Sequence, residues 1–258
     1  MTATVTDRAR TVHVEQCMGT VFTVDIRDAG DWRDAVDDVV AWLRHADAVF
    51  STYRADSDIS KLRRGSLSVA DASPYVGEVL ELCVLMQRET GGYFSAMFDG
   101  ALDPTGLVKG WAIDRASELL RAHGSANHAV NGGGDMQLAG EASPGEPWRV
   151  GISDPFDGAS VLSTISGRDF AVATSGTAER GAHIVNPFTA TPADALVGVT
   201  VVGRSLTHAD VFATAAFAMG DRAIGWLDGL DGHEGLVVTR DGGVQVTRRF
   251  QGAVPGRR

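Results

Sequence analysis

NHAVNGGGDMQLAG, residues 127–140, is where the chain changes its pattern. Before it, apolar residues recur at helical spacing; in it and after it, short alternating runs separated by turn residues read as strands. Downstream come WRVGIS (148–153), VLSTIS (161–166), FAVATS (170–175), GAHIV (181–185) and VGVTVV (197–202). Two helical segments, about 208–219 and 221–229, precede a last pair of strands, GLVVT (235–239) and VQVTRR (244–249). Upstream, the alternation in VHVEQ and TVFTVDI predicts a hairpin around Met18-Gly19-Thr20. Asp31 is placed to cap a helix to about Phe50, with Trp32, Val36, Val39, Val40, Leu43 and Ala46 on one stripe. A polar loop, STYRADSDISKLRRGS, follows; Ser73-Pro74 then opens a second helix that stops at Gly91-Gly92. LDPTGLVKGWAIDRA (102–116) runs from a turn into a third helix, ending near Gly124. Helices early and strands late give an α+β fold and not a regular βαβ winding. With no internal repeat and no linker, a single compact domain over 11–250 is expected, with a flexible N-terminus (1–10) and a flexible basic tail (251–258).

The 258 residues are 44% hydrophobic and 22% charged, and 33 acidic against 23 basic side chains give a formal charge of -10. That balance argues against non-specific binding to nucleic acid or to an anionic membrane surface, while leaving room for a small anion held locally. Cys17 and Cys83 stand far apart in no C-x-x-C spacing, so two buried thiols are expected and not a disulfide framework or thiolate metal site. The N-terminus has no apolar run of signal-peptide type and no later stretch is long enough to span a membrane, which points to a cytoplasmic enzyme or binding protein.

Three segments could carry chemistry. In the helix after Asp103-Pro104, Lys109 falls in what reads as the first turn, where the helix dipole disfavours a cation by about 0.3–1 kcal/mol unless an anion is near. Glycines on both sides free the backbone for close approach, so the segment is an anion site or a plain turn with an exposed lysine. TGLVKGW does not have the P-loop order, and NGGGDMQLAG lacks G-x-G-x-x-G spacing. In HADVFATAAFAMG (208–220), Asp210 and Thr214 share one helical face and present a carboxylate beside a hydroxyl, hard oxygen ligands that suit Mg²⁺. Equally, Asp210 could serve the helix dipole and Thr214 bond back to a carbonyl. TSGTAERGAHIVNP (174–187) carries His183, which is either structural or, if the other segments converge on it, chemical.

Taken in order, MGTVFTVDI, FSTYRADSDISKL, TGGYF, DPTGLVKGWAID, NGGGDMQLAG, WRVGISDP, ATSGTAERGAHIVNP and HADVFATAAFAMG resemble the ApbE family, the Mg²⁺-dependent FAD:protein FMN transferases. The resemblance implies a single T-fold-related α+β domain, with mixed or antiparallel sheets and flanking helices, that binds FAD in an elongated cleft. Family members move FMN from FAD to a threonine hydroxyl of a partner protein and release AMP; some hydrolyse FAD to FMN and AMP, and a non-catalytic flavin-storage role is a third possibility. Carried onto this chain, Met18 and Tyr53 would contact the adenosine side, and Tyr93, Phe94, Ser95, Asp103, Lys109 and Ser175 would line the cofactor. Ile184 would touch the flavin, and Asp210, Thr214 and the Gly106 carbonyl would bind the metal, Asp210 thereby serving catalysis. His183 would stand beside the reacting phosphate as the base, and the anion awaiting Lys109 would be the pyrophosphate of FAD. The chain departs from the family at Arg63, where asparagine is common, at Ser95, where aspartate is usual, and at Ala190, which replaces a turn glycine.

Overall fold

The computed structural model describes residues 10–98, 100–177 and 184–252. The expected flexible ends lie outside these residues except for Arg10, whose guanidinium is paired with Asp25, and residues 251–252. β1 (Thr11–Cys17) and β2 (Thr20–Ile26) form the predicted hairpin, in register from Thr11 opposite Ile26 to Cys17 opposite Thr20. Its two-residue turn puts Met18 at φ 50° and Gly19 at φ 69°, the left-handed pair that matches the twist of the strands. α1 (Arg33–Phe50) starts just after Asp31, whose carboxylate accepts from the Arg33 N–H, and buries Val36, Val39, Leu43 and Ala46 on the expected stripe. The loop expected over 51–66 contains a short helix, α2 (Asp58–Arg63), capped by the Ser57 hydroxyl. Its apolar pair, Ile59 and Leu62, shares the face that packs on the core, but six residues are too few for a helical period to be read.

α3 (Pro74–Glu89) runs as predicted and stops before Gly91 and Gly92, both at positive φ. A minimal hairpin, β3 (Met97–Phe98) with β4 (Ala101–Leu102), leads into α4 (Thr105–Ala122). Asp103 caps α4, accepting from the Thr105 N–H at 3.0 Å and the Thr105 hydroxyl at 2.6 Å. Because the helix begins at Thr105, Lys109 sits in the second turn and not the first, and the helix dipole is not what calls for its counter-charge.

β5 (His128–Gly132) and β6 (Asp135–Ala139) follow, then a separate hairpin of β7 (Trp148–Asp154) and β8 (Asp157–Gly167), then β9 (Phe170–Gly176). The strand expected over 181–185 lies outside the described residues as far as 183; beyond that, β10 (Val185–Asn186) pairs with β11 (Thr191–Pro192). β12 (Leu196–Gly203), α5 (Leu206–Met219), a 3₁₀ turn, α6 (Ala223–Leu227), β13 (Glu234–Thr239) and β14 (Val244–Val246) complete the described chain. The main sheet has the order β1-β2-β5-β6-β9-β12-β13-β14, and every neighbouring pair is antiparallel. No described helix is long and apolar enough to cross a membrane.

Both faces of the middle of this sheet are covered. In β9, Ala171 and Ala173 join the core beneath the helices, while Phe170 and Val172 join a second core with Trp148, Ile152 and Leu162 of the β7–β8 hairpin. Alternate residues of one strand therefore feed two cores, as the two-residue period requires. On the helical face, α5 is buried at every residue except His208 and Thr214. Its small side chains let α4 come close: a Cβ placed on Gly110 would lie 2.9 Å from the Leu206 carbonyl oxygen and 3.2 Å from the Asp210 Cβ. One turn further along α4, Asp114 caps α5 from outside, accepting from the Leu206 and Thr207 N–H groups at 2.9 Å each and from the Ser205 and Thr207 hydroxyls at 2.7 and 2.6 Å.

Two expectations follow. Gly110→Val should cost about 1–3 kcal/mol in urea unfolding, the usual range for overpacking, because backbone blocks the new side chain; unchanged stability would refute this close approach. His128 is fully buried between the Ser117 and Ser125 hydroxyls, and burial pushes its pKa down to about 4. A depressed histidine pKa means that the unfolded chain binds the extra proton, so its contribution is complete above about pH 6.5 and is lost as the pH falls towards 4. At roughly 1.36 kcal/mol per pKa unit the loss is about 3 kcal/mol. His128→Gln should flatten the fall in unfolding free energy between pH 7 and 4.5; parallel curves for the two proteins would remove His128 as the cause.

Candidate active site

Between the hairpin turn at Met18, the start of α4, the helix α5 and the strands β6, β7 and β9 lies one cavity of about 1530 Å³. Met18, Tyr53, Tyr93, Phe94, Ser95, Asp103, Gly106, Lys109, Ser175, Ile184, Asp210 and Thr214 all line it. The separate sequence candidates therefore converge, save His183, which lies outside the described residues.

Lys109 answers its own question. Its ammonium is hydrogen-bonded to Asp135 and, at 2.8 Å, to Asp210. The nearby anions expected on the ligand are thus two carboxylates of the chain itself, both nearly buried. Burial alone would lower the lysine pKa, but Asp210 and Asp135 together hold it above the ordinary value. Burial raises the Asp135 carboxyl to about 6, with Lys109 pulling it down and Asp210 pushing it further up. One ammonium stands against two carboxyl groups, so the floor is acidic overall.

Asp210 and Thr214 share the face of α5 that meets the cavity, and the Thr214 hydroxyl lies 3.1 Å from that of Ser175 on β9. Gly106, in the first turn of α4, faces the same space, and a helical carbonyl keeps a second lone pair beyond its own amide partner. These are all oxygen donors. Among the described residues no group of three or more His, Cys, Asp or Glu side chains gathers around a common point.

Around this floor the aromatic residues differ in freedom. Tyr53 is 99% exposed at the cavity margin, whereas Phe94 is buried and belongs to the core. The Tyr93 ring meets Phe188 edge-on, and its hydroxyl accepts from Arg222 at 3.1 Å. The Ser95 hydroxyl accepts from the Met97 N–H, and Asp103 is committed to capping α4. Of the departures from the family, Arg63 is exposed on α2 and is not among the cavity's lining residues. Ala190 takes φ 55°, so this turn keeps a glycine-like backbone at a cost of about 1–2 kcal/mol.

Asp135 is the residue that sequence reasoning missed. In DMQLA the polar residues Asp135 and Gln137 alternate with Met136 and Leu138, which reads as a solvent face opposite an apolar one. Here both faces are covered, and the polar pair points at the helices: Gln137 accepts from the Leu206 N–H, and Asp135 takes Lys109. The usable signal was the Gly133-Gly134 turn, at φ 62° and 92°, which pins Asp135 directly across from Gly132.

The ApbE family model matches residues 18–101 and 97–237. The FAD:protein FMN transferase of Vibrio cholerae is 35% identical over 130 residues, 46% of this chain and 39% of that protein. The enzyme of the same name from Rhodobacter capsulatus is 30% identical over 204 residues, 76% of this chain and 36% of its own. The match thus spans less than two-fifths of either relative. In fold, the chain resembles the ApbE protein of Thermotoga maritima (TM-score 0.83, 20% identity, covering 93% of this chain and 97% of that one). It likewise resembles the apo flavinyl transferase ApbE of Pseudomonas stutzeri (TM-score 0.82, 22% identity, covering 95% and 97%). With the family model spread over most of its length, and the family's motifs gathered about one cavity, the chain belongs to the ApbE family.

Proposed function

We propose that this chain transfers FMN from FAD to a threonine hydroxyl of an acceptor protein, releasing AMP, with Mg²⁺ bound at Asp210, Thr214 and the Gly106 carbonyl. The observation that carries this is the convergence of the cofactor and metal positions on a single cavity with an acidic floor. A diphosphate would be repelled by that floor unless a cation came with it. The donor set fits such an ion: Mg²⁺ takes one or two hard protein oxygens and completes its shell with phosphate and water.

When bound, Mg²⁺ would supply charge neutralisation at the diphosphate and polarise its phosphorus–oxygen bonds. The chain's own residues do the rest. The exposed Tyr53 ring is free to stack on adenine, and Met18 of the hairpin turn lines the same cavity. Lys109, held by Asp135, offers a remaining N–H to a phosphate oxygen without wandering. Ser175 and Thr214 present hydroxyls to the same region. The threonine oxygen of the acceptor would bond to the phosphorus nearer riboflavin as the bridging phosphorus–oxygen bond breaks and AMP leaves. Such transfer needs positioning and charge stabilisation more than covalent help. His183 takes the hydroxyl proton in this scheme, histidine being the side chain whose ordinary pKa suits a base near neutrality.

The test is to incubate the protein with FAD and Mg²⁺, with and without an acceptor that the Vibrio cholerae enzyme modifies, and to measure AMP and in-gel flavin fluorescence. AMP and a fluorescent band only with acceptor are expected; AMP without acceptor would mean hydrolysis, and bound flavin with no AMP would mean storage. Asp210→Ala should lower transfer at least about a hundredfold, the scale of losing one preorganised electrostatic contact, with cooperative unfolding retained; undiminished labelling would overturn the metal assignment. For His183, a pH–rate profile of the parent protein should show a rise near neutrality that His183→Ala lacks; an unchanged profile takes His183 out of the reaction.

A further inference from the structure

Asp135 has no role in the scheme above, yet it is as enclosed as Asp210: 5% exposed against 7%. The two carboxylates are anchored differently. Asp135 is held at both oxygens, accepting from the Thr174 N–H of β9 at 2.9 Å and from the Lys109 ammonium. Among the described residues Asp210 has one side-chain partner, Lys109, on a single oxygen. Asp210 is therefore the carboxylate able to turn elsewhere, and Asp135 the one fixed in place.

We propose that Asp135 is a positioning residue that keeps the Lys109 ammonium paired when Asp210 turns to a divalent cation, so that cation binding strands no charge in the cavity floor. The inference rests on the transferase reading of the site. Without Asp135, a cation that takes Asp210 would leave Lys109 without its remaining carboxylate, which is costly at a site this enclosed. A merely structural aspartate would behave otherwise: its loss would weaken FAD binding to the same degree with and without the cation.

That difference is measurable without turnover. FAD is titrated against the parent protein, Asp135→Asn, Lys109→Met and the double variant, following flavin fluorescence with Mn²⁺ and again with a chelator. Asparagine keeps an oxygen for the Thr174 N–H, and circular dichroism checks folding; Asp135→Ser carries the same expectation should the amide variant not fold. In Asp135→Asn the gain in FAD affinity on adding Mn²⁺ should fall about tenfold, the scale of losing a group that orients a metal ligand. In the Lys109→Met background the same change should do little, because there is no ammonium left to park. A full Mn²⁺ gain in Asp135→Asn, or an equal loss in both backgrounds, overturns the role of Asp135 alone. Absence of any Mn²⁺ gain in the parent protein overturns the metal-assisted reading, and this inference with it.

Discussion

An ammonium held between two nearly buried carboxylates joins three parts of this fold that are far apart in sequence: α4 through Lys109, β6 through Asp135 and α5 through Asp210. The second oxygen of Asp135, on the Thr174 N–H, adds β9. Such a network is a poor source of net stability, since desolvating three charges consumes most of what their attraction returns. What it does is penalise misplacement. Sliding α5 along α4, or lifting either helix from the sheet, would separate charges that no longer have ready access to water, and breaking one buried pair typically costs about 3–5 kcal/mol. The floor of the cavity is thereby held to one arrangement.

The backbone reinforces the same register by different means. Gly110, next to Lys109, lets α4 approach α5 to backbone contact, and Asp114 closes the N-terminus of α5 with four hydrogen bonds from outside the helix. A helix capped by its neighbour cannot shift without losing its cap, so the cap is also a ruler. This explains the composition of α5. Buried on nearly all sides, it has no polar face to display, and the alanines in HADVFATAAFAMG are there for close packing. The exceptions are informative: Asp210, a buried charge in an otherwise apolar helix, and Thr214, one turn on, are retained where they face the cavity.

Much of this was legible in the sequence because local signals and tertiary demands agreed. The hairpin at Met18-Gly19 and the stop at Gly91-Gly92 rest on φ preferences that act within a few residues. The shared face of Asp210 and Thr214 needed only helical spacing. Misreadings arose where the deciding partner was distant. α2 has only Ile59 and Leu62 to mark its inner face and is fixed partly by its Ser57 cap, with Asp58 accepting from the Ser73 N–H at the start of α3. Asp135 looked solvent-facing because the pattern of one strand cannot show that a second layer, the β7–β8 hairpin, covers the other side of the sheet. The carboxylate partners of Lys109, Asp135 and Asp210, lie 26 and 101 residues away, beyond the reach of local spacing.

The corrected pairing of Lys109 strengthens the chemical case for the site. A free lysine beside a helix start would be an adequate anion hook by itself, and a flavin-storage protein would need nothing more. A lysine already neutralised by two carboxylates cannot attract a diphosphate by charge, and the surplus negative charge works against it. A protein selected only to hold FAD gains nothing from keeping Asp210 and Asp135 in its pocket. Their presence makes sense if ligand and cation arrive as a pair whose combined charge the floor accepts, which places positive charge where a phosphorus–oxygen bond would be broken. On this view the acidic floor selects for the metal-bound form of the substrate, and binding and activation become one event.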